Sequence, residues 1–338
     1  MPFVAFDCEG PITLNDNAFE FTAHLLPKGE YFFTQISRFD DYLADIKKKP
    51  GYKAGDTLKL ILPFLRLFGG TNKLLEEFSE KTLILLPGVE RVLPKLNKIL
   101  PTFIISTSYK PYLSALSKKI GFPMSQIFCT EVDLDKVKLS QGEKALLQKL
   151  YEEILNYPPI ELPKEASRPE DLPSNLRRIL DRLEEIFFET IWNLDCGVFL
   201  REVNPIGGTE KAKACEKISQ ELGEPLSQGF YCGDSITDVQ ALELLRKEEG
   251  VSLSFNGNRY ALRSAEFYAL SKEAYLFEEL IKLFLEGGRE KLKAHKKTLN
   301  EGYEFSLVPS SKDEFSRLVE KSEAFRKKVR GELIGALG

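Results

Sequence analysis

Val4-Ala-Phe-Asp7-Cys-Glu9-Gly-Pro11 opens the chain with an apolar run that ends in two carboxylates one residue apart. Val4 to Phe6 are β-formers too few to make a helix, and Gly10-Pro11 breaks whatever precedes it. The stretch therefore predicts a buried strand that stops at Asp7. Side chains alternate along a strand, so Asp7 and Glu9 project to the same side where it ends. In open α/β sheets the crevice beyond the carboxyl ends of the strands is where ligands bind. Carboxylates held this close repel, so one of them carries a proton or a cation sits between them. One carboxylate as nucleophile and the other as acid/base is chemistry that such a pair supports. An acidic turn at the end of a strand has the same sequence, so the meaning of this stretch depends on the rest of the chain.

At 338 residues the chain exceeds one ordinary core and predicts a core domain with added modules. Hydrophobic content of 43% and charged content of 29% are those of a globular protein in water. A net charge of -4 leaves no electrostatic footprint for nucleic acid. Met1-Pro2 leads straight into the first strand without a basic n-region, so no signal peptide is expected. The most apolar segment, Leu58 to Phe68, is too short to span a bilayer and contains Lys59, Pro63 and Arg66. The five cysteines include no C-x-x-C pair, which fits reduced thiols in a cytoplasmic protein. With only His24 and His295 present, and neither at a strand end, histidine-based nucleophilic or zinc sites are disfavoured.

From Asn15-Asp16-Asn17, a helix start, to about Lys81 the patterns are helical only, which predicts a small helical module directly after the first strand. Phe103-Ile-Ile-Ser106 reads as a second strand and Gln126 to Cys129 as a third. Leu139 to Leu155 and Leu176 to Trp192 read as an inserted helical hairpin joined by a proline- and charge-rich connector. Val198 to Val203 reads as a strand or ribbon, Glu210 to Leu222 as a helix, and Gly229 to Cys232 and Val251 to Phe255 as strands. The chain from Ala261 onward reads as mostly helical and lysine-rich. Strands alternating with helices predict an α/β fold with a parallel sheet covered on both faces.

Two more strand ends carry reactive groups. Ser106-Thr107-Ser108 offers hydroxyls and N–H groups to a phosphate oxygen, or caps an ordinary strand-to-helix turn. Gly233-Asp234-Ser-Ile-Thr-Asp238 places carboxylates one helical turn apart, suited to a hard divalent cation or to a helix cap. Lys211, following Gly207-Gly208-Thr209, lacks the spacing of a P-loop. Taken together and in this order, the four stretches resemble the motifs of the haloacid dehalogenase (HAD) superfamily. Asp7-Cys-Glu9 resembles motif I, Ile104-Ile-Ser106 motif II, Lys211 motif III and Gly233 to Asp238 motif IV. The second acid of motif I, normally Asp, is Glu9 here, as in some members of the phosphoserine phosphatase-like branch. Lys213 competes with Lys211 for motif III, and its spacing to Asp234 favours Lys211. The chain also resembles, more loosely, an archaeal HAD group described as an energy-converting hydrogenase subunit.

The resemblance covers roughly residues 1–14, 82–130 and 204–270. It implies a HAD-like Rossmannoid parallel sheet, built from 1–14, 82–135 and 196–270, with a helical cap at 15–81 inserted after strand one. An extra helical hairpin at 136–195 and a helical C-terminal extension at 271–338 complete the expected division. It further implies a Mg²⁺-dependent phosphomonoesterase acting on a small phosphorylated metabolite. Asp7 would be the nucleophile, Glu9 the general acid/base, and Ser106 and Lys211 the phosphoryl binders, with Mg²⁺ among Asp7, the Glu9 carbonyl and Asp234 and with Asp238 orienting that shell. Thr107, Asp16 and Arg66 are candidate substrate contacts, with Arg38 and Lys73 behind them. The alternative reading is a HAD-fold accessory protein whose hairpin or C-terminal helices bind a protein partner or a second copy.

Overall fold

The computed structural model describes residues 1–163 and 165–337. The strands are β1 (Phe3–Phe6), β2 (Thr102–Tyr109), β3 (Ile127–Thr130), β4 (Gly229–Gly233), β5 (Val251–Phe255), β6 (Phe267–Leu270) and β7 (Glu304–Leu307). Among the described residues these seven form one sheet in the order β3-β2-β1-β4-β5-β6-β7. All neighbouring pairs are parallel except β6 with β7. The fold is the α/β Rossmannoid sheet that the sequence predicts.

Strand β1 shows how the sheet is buried on both sides. Val4 and Phe6 enter one apolar core and Phe3 and Ala5 the other, as the two-residue alternation of a strand requires. Strand order reverses between β1 and β4: the chain runs outward from β1 through β2 to β3, then returns to the other side of β1. This is the switch point at which α/β sheets open a crevice. Phe6 is in register with Ile104 on one side and Cys232 on the other, so Asp7, Ser106 and Asp234 all lie near the rim of that crevice.

Four parts of the chain differ from the sequence reading. Val198 to Glu202 is a helix, not a strand, with Phe199 and Leu200 packed into the core of the helical body and Arg201 and Glu202 exposed. Beyond Ala261 the sheet gains β6 and the antiparallel edge strand β7, each four residues long and too short to show a period. The cap and the hairpin share one core, in which Phe32 and Phe64 pack against Tyr151 and Phe187 packs against Phe39 and Phe64. Cys196, Phe199 and Leu200 belong to this helical body too, so it extends past residue 195. Finally, the C-terminal segment adds β7 to the sheet and then returns through helix Lys312–Arg330 to place Leu337 in the core of the helical body.

Phe64 is fully buried, with ring centroids 4.8 Å from Phe32 and 6.0 Å from Tyr151. Phe64→Ala should therefore cost about 3–5 kcal/mol in urea unfolding. It should also expose residues 136–202 to protease along with 15–81. A loosened cap beside an unchanged hairpin would show two separately folded units.

Candidate active site

Asp7 follows β1 directly, and its N–H donates to the Cys232 carbonyl of β4 at 2.8 Å, which fixes it beside the end of that strand. Its Oδ1 accepts the Cys8 N–H at 2.7 Å and faces the Lys211 ammonium at 2.8 Å. Lys211 comes from the first turn of helix Thr209–Leu222, has no exposed surface, and pairs with Asp238 at 2.7 Å as well. Asp238 is saturated: Oδ1 also accepts the Tyr231 hydroxyl at 2.6 Å, and Oδ2 accepts the N–H groups of Asp234 and Ser235 at 2.9 Å each. Lys213 is exposed and pairs with Glu210, so the lysine at the site is Lys211.

The electrostatics follow from this packing. Burial would raise the Asp238 carboxyl, but Lys211, Tyr231 and the two N–H groups hold it below the usual range. Burial, with Asp238 and Asp234 nearby, pushes Asp7 up to about 8 against the pull of Lys211. Lys211 is therefore the charged partner of an ionised Asp238 and is shared with Asp7, whose charge burial disfavours.

Glu9 lies across the turn. Its Oε1 accepts the Asn17 N–H at 2.7 Å, at the start of helix Asn17–Leu25. Burial and the neighbouring Asp16 raise its carboxyl well above the ordinary range, against the Asn17 N–H and Arg330. A carboxyl held protonated in this way can donate a proton. Asp16 caps the same helix through the Phe19 N–H at 3.0 Å. Directly after Glu9 the chain needs Gly10: its φ is +112°, and a Cβ there would lie 2.1 Å from Asp234 Oδ2.

A cleft of about 90 Å³ opens over these groups, lined among others by Asp7, Glu9, Asp16, Thr107, Ser108 and Asp234. Ser106 Oγ accepts the Ser108 N–H at 3.1 Å, and Thr107 donates its hydroxyl to the Ile206 carbonyl at 3.1 Å. The Ser108 hydroxyl is buried with no hydrogen-bond partner among the described residues. Tyr231 was not singled out by the sequence, and Asn17 was read only as part of a helix start; Ser108, read with Ser106 and Thr107 as a donor to phosphate, follows Ser106 by two positions and so shares its side of the strand.

Arg66 does not line the cleft. Its guanidinium donates to the Val137 and Gly70 carbonyls at 2.8 and 3.2 Å and pins the two insertions together away from the cleft. Arg38 is spent on Asp41 and the Ala336 carbonyl, and Lys73 is an exposed partner of Glu77. Sequence reasoning missed two other residues, both cations. Arg326 donates through Nη1 to the Asp234 carboxylate, and Arg330 donates to the same oxygen at 3.2 Å. Both line the cleft from the C-terminal helix.

For a divalent cation, Asp7, Asp234 and Asp238 each place a carboxylate oxygen within 4.8 Å of the others. Asp238 is excluded as a direct ligand, because Lys211, Tyr231 and two N–H groups use both of its oxygens. Asp7 and Asp234 each keep one oxygen that accepts no hydrogen bond among the described residues. This pair of hard oxygen donors fits Mg²⁺, with Asp238 as a positioning group and with Glu9 able to contribute only its backbone carbonyl.

No family profile and no curated protein matches the sequence. Among solved structures the chain is similar to the gene product AF1437 from Archaeoglobus fulgidus, with 30% identity and a TM-score of 0.83, covering 100% of this chain and 99% of that one. It is also similar to phosphoserine phosphatase in apo form, at 12% identity and a TM-score of 0.48, covering 83% of this chain and 98% of that one. A phospho-aspartyl intermediate analogue of phosphoserine phosphatase gives 12% identity and a TM-score of 0.49 over the same shares.

Lys211→Met leaves Asp238 and Asp7 without their cation and should cost about 3–5 kcal/mol in denaturant unfolding. Adding Asp238→Asn should recover part of that loss, so a double-mutant cycle should show strong coupling. Additive losses would mean that the pair is not a unit.

Proposed function

The chain belongs to one family with the Archaeoglobus gene product, and we propose that it is a HAD-superfamily, Mg²⁺-dependent phosphomonoester hydrolase for a small phosphorylated metabolite. One observation carries the reading: a buried Asp7–Lys211–Asp238 unit at the switch point, with a raised-pKa carboxyl across a small cleft.

Asp7 carries the nucleophilic oxygen. Its attack on phosphorus forms an aspartyl-phosphate and breaks the bond to the ester oxygen, which leaves with the proton of Glu9. Glu9, now ionised, takes a proton from water as that water attacks phosphorus, and the bond to Asp7 breaks to release phosphate. Lys211 offsets negative charge on the transferring oxygens, and Asp238 holds it in place. The Ser108 hydroxyl is a further donor at the cleft. A divalent cation at Asp7 and Asp234 would neutralise the clustered carboxylates and let a dianion approach. The helical body over the cleft keeps bulk water from the charged groups while leaving room for the attacking one.

The second reading, an accessory protein with little catalysis, is favoured by one observation: two guanidiniums already neutralise Asp234.

Release of phosphate from p-nitrophenyl phosphate and from an alkyl phosphate panel, with Mg²⁺ and with excess chelator, tests the proposal. Activity should require the cation, and Asp7→Asn should abolish it with the fold intact. Glu9→Gln should lose roughly 10²–10⁴-fold on alkyl esters and less on the aryl ester, whose leaving group needs no proton. Wild-type activity of Asp7→Asn, or none from the wild type on any substrate, favours the accessory reading.

A further inference from the structure

Helix Lys312–Arg330 packs inward through Leu318, Ser322, Arg326 and Arg330, at four-residue spacing. Only the first of these is apolar. A surface helix is ordinarily held by an apolar stripe, and this one is held by hydrogen bonds and charge. Ser322 donates to the Gly257 carbonyl at 2.6 Å. Arg326 donates to the Asp234 carbonyl at 3.1 Å and to its carboxylate. Arg330 donates to the Leu14 carbonyl at 3.2 Å, to the Asn15 carbonyl and to the same Asp234 oxygen. Both arginine side chains are at most 5% exposed, and Arg326 Nε is buried without an acceptor among the described residues. The helix thus brings two positive charges, the charge of one divalent cation, to a carboxylate that the candidate metal pair needs.

We propose that docking of the C-terminal helix and binding of a divalent cation at Asp7 and Asp234 are antagonistic. The Arg326–Arg330 pair is the counter-charge of the acidic cluster when no cation is present, and cation entry releases the helix. This rests on the metal site of the proposed function. In a buried setting a doubly charged ion beside two guanidiniums is strongly repelled, whereas either alone balances the carboxylates. Linkage makes the effect reciprocal: by whatever factor the docked helix weakens the cation, the cation weakens docking. Arg326 Nε, without an acceptor among the described residues, gains water when the helix leaves.

The test is hydrogen exchange of residues 312–337 in the wild-type chain, metal-free and with saturating Mg²⁺, beside calorimetric Mg²⁺ titration. Protection of the helix should fall on the order of 10-fold with the cation. Asp234→Asn should release the helix without any cation and make it insensitive to Mg²⁺. The Arg326→Gln/Arg330→Gln variant should bind Mg²⁺ on the order of 10-fold more tightly. Mg²⁺ binding with unchanged protection, or no binding by either wild type or variant, overturns the proposal. Neither readout needs turnover. An inactive chain that still trades helix for cation would defeat the hydrolase reading alone, and an active one with an unmoved helix would defeat this proposal alone.

Discussion

A lysine with no exposed surface, clasped by two carboxylates, is the contact on which the rest of the site depends. Burying an ammonium is expensive, and only a well-formed ion pair with further hydrogen bonds makes it tolerable. Three separate parts of the fold must meet to satisfy Lys211. Strand β1 brings Asp7, the turn after β4 brings Asp238, and helix Thr209–Leu222 brings the lysine. Tyr231 and the N–H groups of Asp234 and Ser235 then complete Asp238. The parallel register of β1 and β4 is therefore coupled to the chemistry: a slip of one residue would separate Asp7 from its partners.

The same register explains why much of the site was legible in the sequence. Asp7, Ser106 and Asp234 end apolar runs, and in a parallel sheet the ends of runs converge. Lys211 could be chosen over Lys213 by spacing, and burial separates the two. What stayed hidden had no local signature. Arg326 and Arg330 lie in a stretch crowded with lysines and arginines that reads as a solvated face, and only the stripe from Leu318 through Ser322 marks the side that turns inward. Strands β6 and β7 are too short to show a period. That Phe64 meets Tyr151 and Phe187 depends on contacts across a hundred residues of chain, which periodicity does not encode.

The two halves of the molecule are held by different forces. The helical body is an aromatic-rich apolar core, where rings such as Phe32 and Phe64 meet edge to face. The C-terminal helix instead attaches through polar anchors to backbone carbonyls and one carboxylate. Apolar packing does not respond to ions, but attachment through charge does. The part of the fold most responsive to the ionic state of the cleft is therefore the part that reaches into it last.

Before its C-terminal return, the chain passes between the sheet and the helical body in two bound pairs of passages. Near residue 14, the Leu14 N–H meets the Ile84 carbonyl and Asn15 reaches the Thr82 carbonyl. Near residue 130, the Thr130 hydroxyl accepts the Ile206 N–H and donates to the Thr107 carbonyl. The helical body is fastened beyond these seams as well: the Tyr109 hydroxyl donates to the Leu58 carbonyl, Arg263 pairs with Asp45 at 2.8 Å, and Ala54 packs with Ile236, Val239 and Tyr260. Leu337 closes the circuit, so the body over the cleft is clasped by both ends of the sheet domain's chain.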